Sequence, residues 1–157
     1  MSGPNAFMAR AIELALENVR AGRGGPFAAV VVRDNQVVAC GTNLVTSTND
    51  PTAHAEMVAI REACRALGAF QLRDCDIYTI GEPCPMCLGA IYWARAARVY
   101  YALPRADAAR IGFDDAFLYE EFQRAFPERR IPLIEMMREE ALPVFREWER
   151  KADRVPY

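Results

Sequence analysis

Two short stretches hold residue types that could do chemistry together: His54-Ala55-Glu56 and Pro83-Cys84-Pro85-Met86-Cys87. One imidazole and two thiolates, from His54, Cys84 and Cys87, make a donor set suited to Zn²⁺. Three protein donors leave a fourth position for water, which is the catalytic pattern, whereas structural zinc is usually closed by four. Glu56 stands two residues from His54, close enough to reach a metal-bound water without being a ligand. Zinc lowers the pKa of that water towards about 7, and a carboxylate beside it can take the proton and hand it to a substrate. Either stretch alone carries less. Cys-x-x-Cys also occurs in redox motifs and structural zinc sites, and His-x-Glu is common by chance. Their pairing is informative because the single histidine of the chain sits in the right tripeptide. The non-enzymatic alternative is a small zinc-binding interaction module, with Cys40, Cys64 or Cys75 recruited as a fourth ligand.

Both stretches fall where a loop enters a helix. Helix N-termini present unpaired N–H groups and a partial positive charge. That environment lowers the pKa of a cysteine, and the thiolate is the metal-binding form. Cys84 and Cys87 would share one face of a first helical turn, and Pro85 suits that turn because its missing N–H costs little there. Around them, Asn5 to Ala21 has helical periodicity, through Met8, Ile12, Ala15, Leu16 and Val19. Phe27 to Val32 and Val37 to Cys40 read as a β-hairpin turning at Asp34-Asn35. Thr46 to Pro51 reads as a loop, Ala53 to Leu67 as a helix closing near Gly68, Ile77 to Ile80 as a strand and Pro85 to Ala94 as a helix. Further on, Val99 to Ala102 reads as a strand, Phe113 to Phe122 as a helix, Leu133 to Met137 as a strand and Pro143 to Lys151 as a final helix. This alternation predicts an α/β fold with helices on both faces of one mixed sheet, in a single domain over residues 1–157.

The composition is that of an ordinary soluble domain: 157 residues, 52% hydrophobic and 25% charged, with a net charge of −2. No apolar run approaches the roughly 18 residues that cross a bilayer. Glu13 and Glu17 interrupt a leader or transit reading of the N-terminus, so the expected location is cytoplasmic. Charges of both signs are interspersed, and the longest basic cluster is Arg129-Arg130. That weighs against a nucleic-acid partner, since such proteins usually present a basic face to phosphates. Five cysteines, an odd count, argue against a disulfide framework.

The pairing of His-x-Glu with Pro-Cys-x-x-Cys is the signature of zinc nucleobase deaminases, and the chain resembles the cytidine-deaminase-like superfamily. Within it the similarity is to bacterial guanine deaminases, and it extends over nearly the whole chain. It is carried by Gly24-Gly25-Pro26-Phe27, by Asn49-Asp50-Pro51-Thr52-Ala53-His54-Ala55-Glu56, by Glu82-Pro83-Cys84-Pro85-Met86-Cys87-Leu88-Gly89-Ala90-Ile91-Tyr92-Trp93-Ala94, by Gly112-Phe113-Asp114-Asp115 and by Tyr157. Ile80-Gly81 departs from the Ser-Cys expected there. The resemblance implies a three-layer α/β/α sandwich on a mixed five-stranded sheet. It also implies a homodimer, with a C-terminal segment from about residue 140 to 157 that could exchange between subunits. The implied reaction is attack of zinc hydroxide on C2 of guanine, giving xanthine and ammonia, with Glu56 as proton shuttle.

Other roles are also implied by the resemblance, and each has an ordinary reading beside it. Asp115 becomes a second proton shuttle, otherwise an N-cap or surface acid. Phe27 becomes a ring that stacks on the purine, otherwise a core phenylalanine at a strand start. Asn43 can offer donor and acceptor to a base edge, otherwise a turn. Trp93 borders the pocket, otherwise a core or dimer-interface residue. Tyr157 closes the pocket, otherwise a frayed terminus. The rival activities are a tRNA adenosine deaminase, which would need a basic face, and a deaminase of cytosine, a nucleoside or an aminotriazine.

Overall fold

The computed structural model describes residues 5–157, which divide into two compact units at Asp115. The first unit holds α1 (Ala6–Arg20), β1 (Ala28–Arg33), β2 (Gln36–Thr42), the one-turn α2 (Val45–Thr48), α3 (Ala55–Leu67), β3 (Cys75–Gly81), α4 (Pro85–Trp93), β4 (Arg98–Leu103) and α5 (Arg105–Arg110). The second holds α6 (Ala116–Gln123), a 3₁₀ turn (Phe126–Glu128) and α7 (Arg138–Arg150).

Local chemistry explains most of these boundaries. Asn5 caps α1, its side chain accepting from the N–H groups of Phe7 at 2.9 Å and Met8 at 3.0 Å. Asp34 and Asn35 both adopt positive φ, 50° and 59°, the primed turn whose twist matches a two-residue hairpin. Gly68 ends α3 in the left-handed conformation.

The sheet has the order β2-β1-β3-β4, with β1 antiparallel to both neighbours and β3 parallel to β4. A parallel pair needs a crossover, and α4 supplies it. Every residue from Ala28 to Val32 is buried, because helices cover both faces. Ala29 and Val31 join Ile77 and the α3 residues Ala55, Ala59 and Ala63 on one side. Ala28, Val30 and Val32 join Tyr78, Ile80 and the α1 residues Ala11 and Ala15 on the other. Full burial of Val30, Val31 and Ile77 contributes roughly 1.5–3 kcal/mol each, and the alanines add less. The expected three layers are therefore present.

The expected five strands are four among the described residues. Leu133 to Met137 makes no strand ladder, and it is largely exposed, with Ile134 at 80%. An apolar run needs a neighbouring strand to become one, and Met137 instead turns to φ 55° to start α7. That helix begins at Arg138 rather than at Pro143, with Glu139 and Glu140 in its first turn, where carboxylates complement the helix dipole.

One close approach sets the site. A Cβ on Gly41 of β2 would lie 2.4 Å from both the carbonyl oxygen of Ala55 and the N–H nitrogen of Ala59. Only glycine lets the first turn of α3 rest directly on the sheet.

Candidate active site

His54 and Cys84 are the N-caps of α3 and α4, each extended before its helix begins. Cys87 follows in the first turn of α4, with Pro85 between. Two helix N-termini thus converge, and their partial positive charge favours the thiolate form. The His54 Nδ1 atom lies 3.6 Å from Cys84 Sγ and 3.5 Å from Cys87 Sγ. Tetrahedral zinc with bonds of about 2.0 Å to nitrogen and 2.3 Å to sulfur gives nitrogen–sulfur edges of about 3.5 Å. The donors already stand at those edges. Among the described residues no fourth protein donor joins the group. Cys40, Cys64 and Cys75 are separate free thiols, each with its pKa raised by burial.

The two site thiols behave as a pair. Cys84 is pulled down to about 4, first by the hydrogen bond it receives from Cys87 and then by His54. Cys87 is pushed up as the donor of that bond, and the bond to Cys84 likewise raises His54.

Glu56 is only 6% exposed. Its Oε1 accepts a 3.0 Å hydrogen bond from Thr79 Oγ1, and its Oε2 lies 3.5 Å from Cys87 Sγ. Burial raises its pKa, and the hydrogen bond from Thr79 works in the opposite direction. A carboxyl held away from its usual range beside a metal-type donor set is suited to carrying a proton. Thr79 had no place in the sequence reading. Strand alternation from Ile77 puts it on the α3 face, and a hydroxyl there needs a partner.

Asn43 is buried just after β2. Its Oδ1 accepts from the N–H groups of Gly25 at 3.3 Å and Val45 at 3.2 Å, so the amide is oriented with its NH₂ group as the remaining donor. Phe27 is partly buried against the α3-side core and meets Phe113 edge-to-face, with ring centroids 5.0 Å apart. Asp115 is half-buried, and its pKa is raised by desolvation, opposed by Arg105. It also interacts electrostatically with Cys84 and Glu82, so it belongs to the same end of the sheet. Glu82 serves the scaffold: its Oε2 accepts from Arg105 N–H at 3.0 Å, and its own N–H donates to the Leu103 carbonyl.

The structure brings His54, Glu56, Cys84 and Cys87 together. Trp93 closes α4 at the opposite end from the two cysteines, 62% exposed, with the Arg95 guanidinium 5.9 Å from its ring centre. Tyr157 belongs to the second unit and is exposed.

Comparison with known proteins adds to this geometry. Residues 1–103 match the cytidine and deoxycytidylate deaminase zinc-binding region. The guanine deaminase of Bacillus subtilis (strain 168) is 54% identical over 151 residues, covering 96% of this chain and 97% of that protein. The X-ray structure of guanine deaminase from Bacillus subtilis superposes with a TM-score of 0.95 at 52% identity, covering 99% of each chain. The tRNA-specific adenosine deaminase of Agrobacterium fabrum is 45% identical over 89 residues, 55% of this chain and 59% of that protein.

Proposed function

This chain belongs to the zinc-binding family of cytidine and deoxycytidylate deaminases, and from that premise we propose that it hydrolyses guanine to xanthine and ammonia. The observation that carries the reaction type is the three-donor His54, Cys84 and Cys87 group with the buried Glu56 carboxylate against it. The choice of base is supported by the near full-length likeness to a guanine deaminase, whereas the tRNA-specific relative matches little more than half the chain.

His54, Cys84 and Cys87 would hold the zinc. When bound, it supplies a water made acidic enough to attack at neutral pH. Glu56 would take a proton from the attacking water and hand it to a ring nitrogen of the base. The second proton, from the new C2 hydroxyl, would reach the exocyclic amine through Glu56 and Asp115, so that the C2–N bond breaks, ammonia leaves and the C2 carbonyl forms. Asn43 donates through its NH₂ group to an acceptor on the base, the oxo oxygen or a ring nitrogen. Phe27 bounds the flat face of the purine. Tyr157 as a closing group rests on the resemblance alone.

A homodimer belongs to the same reading. Tyr92 and Trp93 expose 71% and 62% of their surface on one short helix, and paired aromatics of this kind are enriched at interfaces. No described helix is long and apolar enough to cross a membrane, and a cytoplasmic site of action is part of the proposal.

The test is ammonia release from zinc-replete protein offered guanine, adenine, cytosine, guanosine and cytidine. Guanine alone reacting, with xanthine as product, supports the proposal. Turnover of another base, or of an adenosine within an RNA hairpin, overturns the choice of guanine and keeps the reaction type. Glu56→Gln should keep zinc and lose kcat by about 10²- to 10⁴-fold; unchanged turnover would overturn the proton role.

A further inference from the structure

Asn18 stands in the last turn of α1, on the same buried stripe as Ala11 and Ala15. Its position calls for an apolar residue. A buried amide is tolerated only when its polar atoms are paired, and here all of them are spent on one task. Its Nδ2 group donates to the carbonyl of Gly25 at 3.1 Å and to the carbonyl of Asn43 at 2.9 Å. Its Oδ1 accepts from Arg23 Nε at 3.2 Å, which fixes the orientation of the amide.

The two carbonyls belong to different loops. Gly25 lies in the segment leading into β1, and Asn43 lies just after β2. The loops touch closely: a Cβ on Gly24 would fall 2.1 Å from the Asn43 carbonyl oxygen. They are also tied from the other side, since Gly25 N–H donates to Asn43 Oδ1 and Asn43 N–H donates to the Phe27 carbonyl. Asn18 therefore closes a small network from beneath the loops, on the side away from the His54 and Cys84 donors, since its helix packs on the opposite face of the sheet.

We infer that Asn18 is a positioning residue for substrate binding, which sets the Asn43 amide and the Gly25–Phe27 segment as one rigid unit. Asn18 itself touches no substrate. The inference rests on the reading that Asn43 contacts the base. Removing the amide leaves the Asn43 carbonyl without its donor and the Gly25 carbonyl with only the Phe27 N–H, and the loops relax to find water. Asn43 then loses its aim, and displacements of this size cost substrate orientation out of proportion to the stability lost.

A double-mutant cycle on the zinc-loaded enzyme tests this, with Asn18→Leu, Asn43→Ala and the double variant. Zinc content, Tm, guanine kinetics and calorimetric affinity for hypoxanthine (which keeps the oxo group but lacks the 2-amino group) would be measured for each. Asn18→Leu should keep full zinc, raise KM and weaken hypoxanthine by roughly 10- to 100-fold, and change kcat less. In the Asn43→Ala background the same substitution should add less than about twofold, because residues in one network couple. Arg23→Ala, at an exposed position, serves if Asn18→Leu does not fold; it should raise KM in wild type and add little in the Asn43→Ala background. Losses that multiply in the double variant, or a fall in Tm with KM and affinity unmoved, would overturn the inference. If Asn43→Ala leaves KM and affinity unchanged, the reading of Asn43 fails and the inference falls with it. A damaging Asn43→Ala beside a silent Asn18→Leu and a silent Arg23→Ala would refute the Asn18 role alone.

Discussion

Thr79 Oγ1 stands 3.0 Å from Oε1 of Glu56, with the threonine fully buried in the sheet and the carboxylate fixed at the start of α3. The bond joins strand to helix at the carboxylate meant to carry the proton. One oxygen of Glu56 is thereby held still while the other faces Cys87. Thr79→Val keeps the shape and removes the hydroxyl. A hydrogen bond to a charged group is worth about 1.5–3 kcal/mol, so kcat should fall roughly 10- to 100-fold with zinc content and KM nearly unchanged. Steady-state kinetics with metal analysis checks this, and wild-type kcat in the valine variant would remove Thr79 from the account.

Local signals made much of this architecture legible, and tertiary pairings set the limit. The Asp34-Asn35 turn, the glycine at the end of α3, and the two helix starts at His54 and Cys84 are each written into a few consecutive residues. The α5 helix, Arg105–Arg110, was invisible because its polar sequence shows no apolar stripe and buries no residue. Leu133 to Met137 failed in the other direction, with strand-like composition and no strand partner. At the site, the donor set could be read from residue type and spacing. Thr79 and Asn18 could not. Each has a partner more than 20 residues away, and although periodicity places both on buried faces, no local window names that partner.

Metal removal should separate catalysis from folding. The two apolar clusters that flank the sheet are built almost wholly from residues other than the donors, so the fold does not depend on the metal as a zinc finger does. Dialysis against a strong chelator should abolish turnover while the far-ultraviolet circular dichroism spectrum persists. Tm should fall by several degrees, because a ligand bound only by the native state stabilises it. Added Zn²⁺ should restore both. Loss of the folded spectrum on chelation would instead mark the metal as structural.

Gly41 offers a test of the platform beneath His54 and Glu56. A side chain there must push the first turn of α3 from the sheet, since its Cβ would meet backbone atoms at 2.4 Å. Overpacking of this kind typically costs about 1–3 kcal/mol. Gly41→Ala should therefore lower the urea midpoint and, by shifting the His54 donor, lower zinc affinity as well. Full stability with full zinc affinity would mean that the helix end is freer to move than its contacts indicate.

Gly81 is where this chain departs from the Ser-Cys expected before the metal loop, and its surroundings give the departure a physical sense. A Cβ at this position would lie 3.2 Å from the edge of the Phe27 ring. That ring cannot withdraw easily, because Phe113 meets it edge-on, with ring centroids 5.0 Å apart. Gly81→Ala should thus tilt Phe27 by a few tenths of an ångström, with the metal donors left in place. If Phe27 bounds the base, KM for guanine should rise severalfold, an effect on the order of 1 kcal/mol, while zinc content and Tm stay near wild type. The cysteine variant, larger still, should follow the same direction and exceed it. An unchanged KM in both variants would place the base away from the Phe27 ring and make that phenylalanine a core residue.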